Sequence, residues 1–352
     1  MVLMRIRQDK YSARCRKVSQ MNTKTDSAPR IAGSDIQALQ GGWRPSGLGF
    51  LITVLCVIGL YWGTIGRMVE MWANSRTFAH GFLILPATAY LIWSYRDVWI
   101  RHEAYPSVWG LSALSIAACA WLIGGTTKVI WLQEIAVVAM APGLMLALFG
   151  KDVSKTLSWP LGFLIFMVPV GTAIEPWLQD FTTWFVRVGL DLVAIPYLPE
   201  RHRFILTTGT WNVDPDCAGL RYLLPGLALG YAFVTLMYRR SNRRLLFLAV
   251  CAVVLLVANG IRAYTIILGD HFGIADGADH RVFSYAVYGL TMPLLLWFGL
   301  RWQETMQPSI SEHLVAASVR KDATTKAIVM SIAALVILAV APALGWLGGI
   351  GP

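Results

Sequence analysis

The chain alternates long apolar stretches with short polar ones. Apolar runs occupy residues 48–66, 78–95, 107–124, 129–149, 157–174, 217–237, 245–268, 282–300 and 326–347. Each is near the roughly 20 residues a helix needs to cross a hydrocarbon layer about 30 Å thick. The pattern predicts an all-α polytopic transmembrane bundle of about nine spans. Between the fifth and sixth runs, 175–216 has a different character. Trp177, Phe181, Trp184, Phe185 and Val188 recur at helical spacing beside Gln179, Asp180, Arg187 and Asp191. This predicts an amphipathic helix over 175–196, lying in the membrane interface. The stretch that follows, with Phe204-Ile205-Leu206 and Gly209, suggests a short hairpin in a small extracytoplasmic loop region.

Composition agrees: 56% of residues are hydrophobic and 14% charged, against about 25% charged in soluble domains. The net charge of +10 lies in short blocks between apolar runs, the pattern of membrane loops and not of a nucleic-acid surface. The lipid bilayer is therefore an expected partner and nucleic acid is not. The organisation expected is a basic disordered cytoplasmic tail (1–46), a membrane domain (47–302), a cytoplasmic linker (303–325) and an additional C-terminal helix (326–352). Met21 is an alternative start to Met1. Lys and Arg concentrate on the cytoplasmic side, so the block Arg239, Arg240, Arg243 and Arg244 and the basic N-terminus are placed inside. Six crossings separate the two, which is self-consistent, and 175–216 is then outside.

That direction brings chemistry-bearing residues to one side. Of five cysteines, Cys56, Cys119 and Cys251 lie within apolar runs, where a thiol behaves as a small hydrophobe. No CxxC pair and no histidine cluster has zinc-ligand spacing, so neither metal nor cofactor is expected. Cys217 differs, opening the sixth span within Asp214-Pro215-Asp216-Cys217-Ala218-Gly219-Leu220-Arg221. Arg262 falls near the outer end of the seventh span, three residues after Asn259, and His280 precedes the eighth. A thiol needs a neighbouring positive charge or base to become an effective nucleophile. Arg262 would stabilise a thiolate or oxyanion, and His280 would act as general base and acid. Arg221, one turn below Cys217, His80 at the mouth of the second span, and Asn259 are supporting candidates. Each alone has a plain structural reading: a packing thiol, a snorkelling arginine, a solvated histidine, a hydrogen-bonded packing histidine. His271 is an equal candidate to His280 on position.

The ordered set resembles a known family. Cys217-Ala218-Gly219-Leu220-Arg221-Tyr222-Leu223, Asn259-Gly260-Ile261-Arg262 and Asp279-His280 resemble the cysteine, arginine and histidine motifs of the exosortases, most closely the exosortase A type. His80-Gly81-Phe82-Leu83-Ile84-Leu85-Pro86 resembles that family's early helix. The resemblance covers roughly 48–302; the run after His280 lacks the family's Gly-Trp pairing. It implies a bacterial inner-membrane cysteine protease or transpeptidase, its site facing the periplasm. Its substrates would be exported proteins carrying a C-terminal PEP-CTERM sorting signal: a Pro-Glu-Pro motif, a transmembrane helix and a basic tail. On that resemblance Cys217 is the nucleophile, Arg262 and His280 are its partners, and the acceptor is unknown. The rival readings are a transporter or a scaffold in exopolysaccharide precursor export. A transporter tends to hold ionisable groups at the midplane on internally repeated helices, whereas here they gather at helix ends.

Overall fold

The computed structural model describes residues 33–102, 104–213, 219–273, 279–304 and 322–347, with side chains described except at 33–42, 44, 172–173, 279–283, 322–323 and 347. The chain divides into two units. One comprises 1–41 with 314–319, and only its residues 33–41, the first turns of a helix, are described. The other, 42–313 with 320–352, holds everything that follows.

This is an all-α polytopic membrane fold. Five described helices are long and apolar enough to cross a membrane, six if a bent pair counts as one, and three shorter apolar helices carry the remaining runs. The bent pair is α1 (Gly33–Leu60) and α2 (Trp62–Asn74), which turn by 78°. The expected first run ignores this bend. Tyr61 at the corner is fully buried, donates its O–H to the Leu338 carbonyl (2.9 Å) and meets the Trp121 ring edge-on at 5.1 Å. The chain continues through α3 (Gly81–Ser94), a short α4 (Arg96–Trp99), α5 (Val108–Thr127) and α6 (Ile130–Thr156).

Helices α5 and α6 pack through small residues that let backbones approach closely. A Cβ on Gly110 would sit 2.1 Å from the backbone nitrogen of Ala147. With α1 and α12 (Asp322–Leu347) they enclose the largest apolar core, which includes Leu114, Trp121, Met140, Leu144 and Leu338. Within α6 the chain kinks at Gly150, whose φ of 85° suits glycine and whose absent Cβ admits the Tyr105 carbonyl.

The fifth apolar run, expected as a continuous span, folds differently. It forms α7 (Ser158–Gly162), a 3-10 turn (Phe163–Met167), and a short link to α8 (Gly171–Leu192). Trp159 lies under Arg244 while Gly171 abuts Leu220 and Phe78, so the segment joins opposite ends of the bundle. Twelve residues of pure α-helix would cover only about 18 Å, and the wider rise of 3-10 and extended backbone makes up the difference. Irregular backbone at membrane depth requires cover by protein. Leu161, Phe163, Leu164 and Val168 are buried accordingly.

A second bundle, α9 (Leu220–Met237), α10 (Ser241–His271) and α11 (Asp279–Leu300), packs around Val234, Phe247, Cys251, Leu255 and Tyr288. With 31 residues, α10 is about 46 Å long and outreaches the hydrocarbon layer. Its far end carries a small platform of α8 and a three-stranded antiparallel meander, β1 (Tyr197–Glu200), β2 (Arg203–Leu206) and β3 (Gly209–Asn212). Val186, Leu190, Phe204, Val213, Ala263 and Ile267 form the platform's core.

The expected hairpin thus has a third strand, tied to α10 by Trp211 Nε1 donating to Asp270 (2.9 Å) and by Thr208 hydrogen-bonded to His271 (2.8 Å). His271 is therefore engaged in anchoring the sheet. The amphipathic helix exists, but its buried stripe is Leu178, Thr182, Val186 and Leu190; Trp177, Trp184 and Val188 from the expected stripe are exposed. On the sheet, Tyr197 donates to Asp191 (3.0 Å); desolvation, then that bond, raises its phenol above the ordinary range.

Candidate active site

Of the expected site residues, Arg221, Asn259, Arg262 and the backbone of His280 fall at one end of the second bundle, where α9 begins, α10 passes and α11 begins. Cys217 lies outside the described residues, as do Asp214 and Asp216. The nearest described position after it is Gly219, the N-cap of α9, in a left-handed conformation with φ of 91°. Its carbonyl accepts the N–H groups of Tyr222 and Leu223 (3.0 and 2.9 Å), closing the first turn. A Cβ on Gly219 would stand 2.3 Å from Cγ of Asn259. Glycine is thus required twice over, by backbone angle and by the close approach of α10.

Asn259 and Arg262 are three residues apart on α10 and share a face. Both are buried, at 3% and 9% exposure. Asn259 donates Nδ2–H to Thr182 of α8 (3.0 Å) and accepts the Tyr288 hydroxyl of α11 (3.1 Å). Tyr288 stacks on Tyr222 of α9 with centroids 4.0 Å apart and planes 14° from parallel. Arg262 lies over the Tyr222 ring at 5.3 Å, and its Nε–H donates to Ser284 of α11 (2.6 Å). Its Nη1 is buried with no hydrogen-bond partner. No carboxylate forms an ion pair with Arg262 among the described residues. A guanidinium has five donors and no acceptor, and those on Nη1 are left unused.

His280 is the second residue of α11, one helical turn before Ser284 in sequence; its side chain lies outside those described. Arg221 is half-buried in the first turn of α9. His80 belongs to another part of the chain, the link between α2 and α3. It precedes α3, with Nδ1 against the Thr77 carbonyl (3.1 Å) and Nε2 buried without a partner. Phe78, two residues earlier, joins an apolar cluster with Met68, Trp72, Leu178 and Leu220. No described hydrogen bond or ion pair links His80 to Arg262.

The opposite end of the bundle is a second polar cluster with no expected chemistry. Arg244 is buried, donates to the Tyr238 carbonyl (2.8 Å) and to the Tyr95 hydroxyl (2.9 Å), and lies 4.8 Å over Trp159. It satisfies carbonyls at the end of α9, where the helix leaves acceptors unpaired. Glu304 accepts the backbone N–H groups of Arg239 (2.7 Å) and Arg240 (3.0 Å) and pairs with Arg243 (3.2 Å). Those bonds, the Arg239 amide foremost, hold its carboxyl below the ordinary glutamate value. The 18 residues from Arg244 to Arg262 span about 27 Å of helix, close to the hydrocarbon thickness. With Arg244 at one boundary of such a layer, Arg262 would lie near the other.

Sequence reasoning missed Thr182, Tyr222, Ser284 and Tyr288. Their signal was spacing: Ser284 and Tyr288 repeat at i, i+4 within an apolar run, matching Asn259 and Arg262 at i, i+3. Compared with known proteins, the chain matches the family described as transmembrane exosortase over residues 72–297. No curated protein and no solved structure matches.

Proposed function

Because the chain belongs to the transmembrane exosortase family, we propose that it is a membrane-embedded cysteine transpeptidase acting on exported proteins with a C-terminal sorting signal of PEP-CTERM type. The observation that carries this reading is the buried guanidinium of Arg262, with an unpartnered Nη1 and no ion-paired carboxylate among the described residues. Gly219 is wedged against Asn259 on the same helix face, and two residues of extended chain reach about 7 Å. That short tether supports Cys217 as the nucleophile. The backbone of α11 sets His280 one turn from Ser284, which supports the histidine as its acid–base partner.

In this mechanism the Cys217 thiolate adds to the scissile carbonyl carbon, and Arg262 stabilises the oxyanion with charge-assisted hydrogen bonds. The C–N bond then breaks and the leaving amine takes a proton from His280. A thioester remains on Cys217. An acceptor nucleophile, or water, attacks it and releases the Cys217 thiolate, with His280 now taking the acceptor's proton. Arg221 adds positive charge beside the α9 N-terminus, whose dipole also favours an anion. Asn259 acts by holding α8, α10 and α11 together around the arginine.

The Arg244 end carries Arg96, Arg101, Lys151, Lys155, Arg239, Arg240, Arg243 and Arg301. Cytoplasmic loops are enriched in Lys and Arg, so this end faces the cytoplasm of a bacterial inner membrane and the Arg262 end faces the periplasm. The substrate's own transmembrane helix would then present its motif at the outer boundary, level with Arg262. The test is to follow a tagged protein bearing the sorting signal by gel mobility. Wild-type processing with its loss in Cys217→Ala is expected; normal processing by Cys217→Ala overturns the assignment.

A further inference from the structure

Among the described residues, the surroundings of the Arg262 guanidinium are unusual for a buried cation. Such a group ordinarily pairs with a carboxylate, because desolvating an uncompensated charge is expensive. Here its Nε–H goes to a hydroxyl, that of Ser284, at 2.6 Å, and Ser284 is itself only 2% exposed. The Tyr222 ring covers the guanidinium at 5.3 Å and is backed by Tyr288. One edge of the guanidinium is thus fixed, one face is covered, and Nη1 is left without a partner.

We infer that Ser284 is a positioning residue: it fixes the guanidinium through a neutral oxygen and so leaves Arg262's full charge and its Nη1 for an acceptor in the site. This rests on the proposed thiol chemistry. A carboxylate at the same place would hold the side chain as firmly but would quench the charge the reaction uses. A hydroxyl merely satisfying a buried donor makes no such distinction, and that difference is testable.

The test uses the full-length protein in native membranes, with N-ethylmaleimide as the probe and Cys217 labelling read by mass spectrometry across pH. A free thiol titrates near 8.5, and positive charge lowers that value. The wild-type midpoint is expected below it. Arg262→Ala should raise the midpoint by about one unit, a tenfold loss of thiolate at lower pH. Ser284→Asp should raise it similarly although the arginine remains tethered. Ser284→Ala should raise it less while lowering kcat for the tagged substrate about a hundredfold, the scale of a 1 Å misplacement, with KM little changed. Ser284→Thr, which keeps the oxygen, should restore both values. If Arg262→Ala shifts the midpoint but Ser284→Asp and Ser284→Ala do not, the inference about Ser284 is wrong. If Arg262→Ala itself leaves the midpoint unmoved, the proposed pairing of arginine with the Cys217 thiol fails, and the inference about Ser284 fails with it.

Discussion

Replacing Gly219 with Ala perturbs the junction between α9 and α10 in two separable ways. The backbone there has φ of 91°, and an L-residue held in left-handed space costs about 1–2 kcal/mol. The new methyl would also stand 2.3, 2.5 and 2.7 Å from Cγ, Nδ2 and Oδ1 of Asn259. Real Cβ atoms do not approach so closely, so Asn259 must leave. Its departure breaks the bonds to Thr182 and Tyr288, and leaving buried partners unsatisfied costs about 1–3 kcal/mol each. The total is about 3–8 kcal/mol.

Asn259→Ala removes all three clashing atoms, so Gly219→Ala in that background should cost only the backbone part, about 1–2 kcal/mol. The assay is a double-mutant cycle on reversible unfolding in mixed micelles. A coupling of about 2 kcal/mol or more is expected. Strictly additive costs would show that Gly219 and Asn259 do not meet, and the tether argument for Cys217 would go with them.

Other outcomes follow from the same contacts. Tyr288→Phe loses one buried donor to Asn259 and should destabilise the protein by about 1–2 kcal/mol in the same unfolding assay. Gly110→Ala drives a methyl to 2.1 Å from backbone of α6, and overpacking of about 2 kcal/mol or more should appear as lowered thermal stability in detergent. Arg244→Ala removes charged hydrogen bonds to Tyr238 and Tyr95 and should cost about 3 kcal/mol in unfolding. The Glu304 carboxyl is held below its ordinary value of 4.5, so its contribution is present above that pH and is lost as the pH falls through the lowered value. Amide exchange at Arg239 and Arg240 should accelerate only under that acidic condition, and Glu304→Gln should abolish the dependence on pH.

Much of the architecture was legible because bilayer thickness imposes length on apolar runs. The limits of α3, α5, α9 and α11 lie within a few residues of those runs. The fifth run was not legible in this way. Hydropathy cannot distinguish a continuous helix from α, 3-10 and extended pieces buried in protein, and Pro160, Gly162, Pro169 and Gly171 were its local signals. In α8 the aromatic stripe drew attention to the exposed face. The face packed on α10 contains Thr182, a polar residue that reads as surface until Asn259 is opposite it.

Arg262 and Asn259 stood out as polar groups in an apolar span. Tyr222, Ser284 and Tyr288 carry hydroxyls on side chains that pass as span filler, and their role emerges only when three helices are brought together. His80, equally conspicuous, meets the Thr77 carbonyl before α3, and Phe78 two residues earlier packs with Leu220 at the start of α9.

The most direct test of the central claim is to look for the covalent intermediate. Membranes holding the protein and a tagged sorting-signal substrate would be quenched in acid, and peptides containing Cys217 analysed by mass spectrometry. The account predicts a hydroxylamine-sensitive thioester joining the substrate's new C-terminus to Cys217, absent in Cys217→Ala. Processing that continues in Cys217→Ala, or an adduct on another residue, would contradict it.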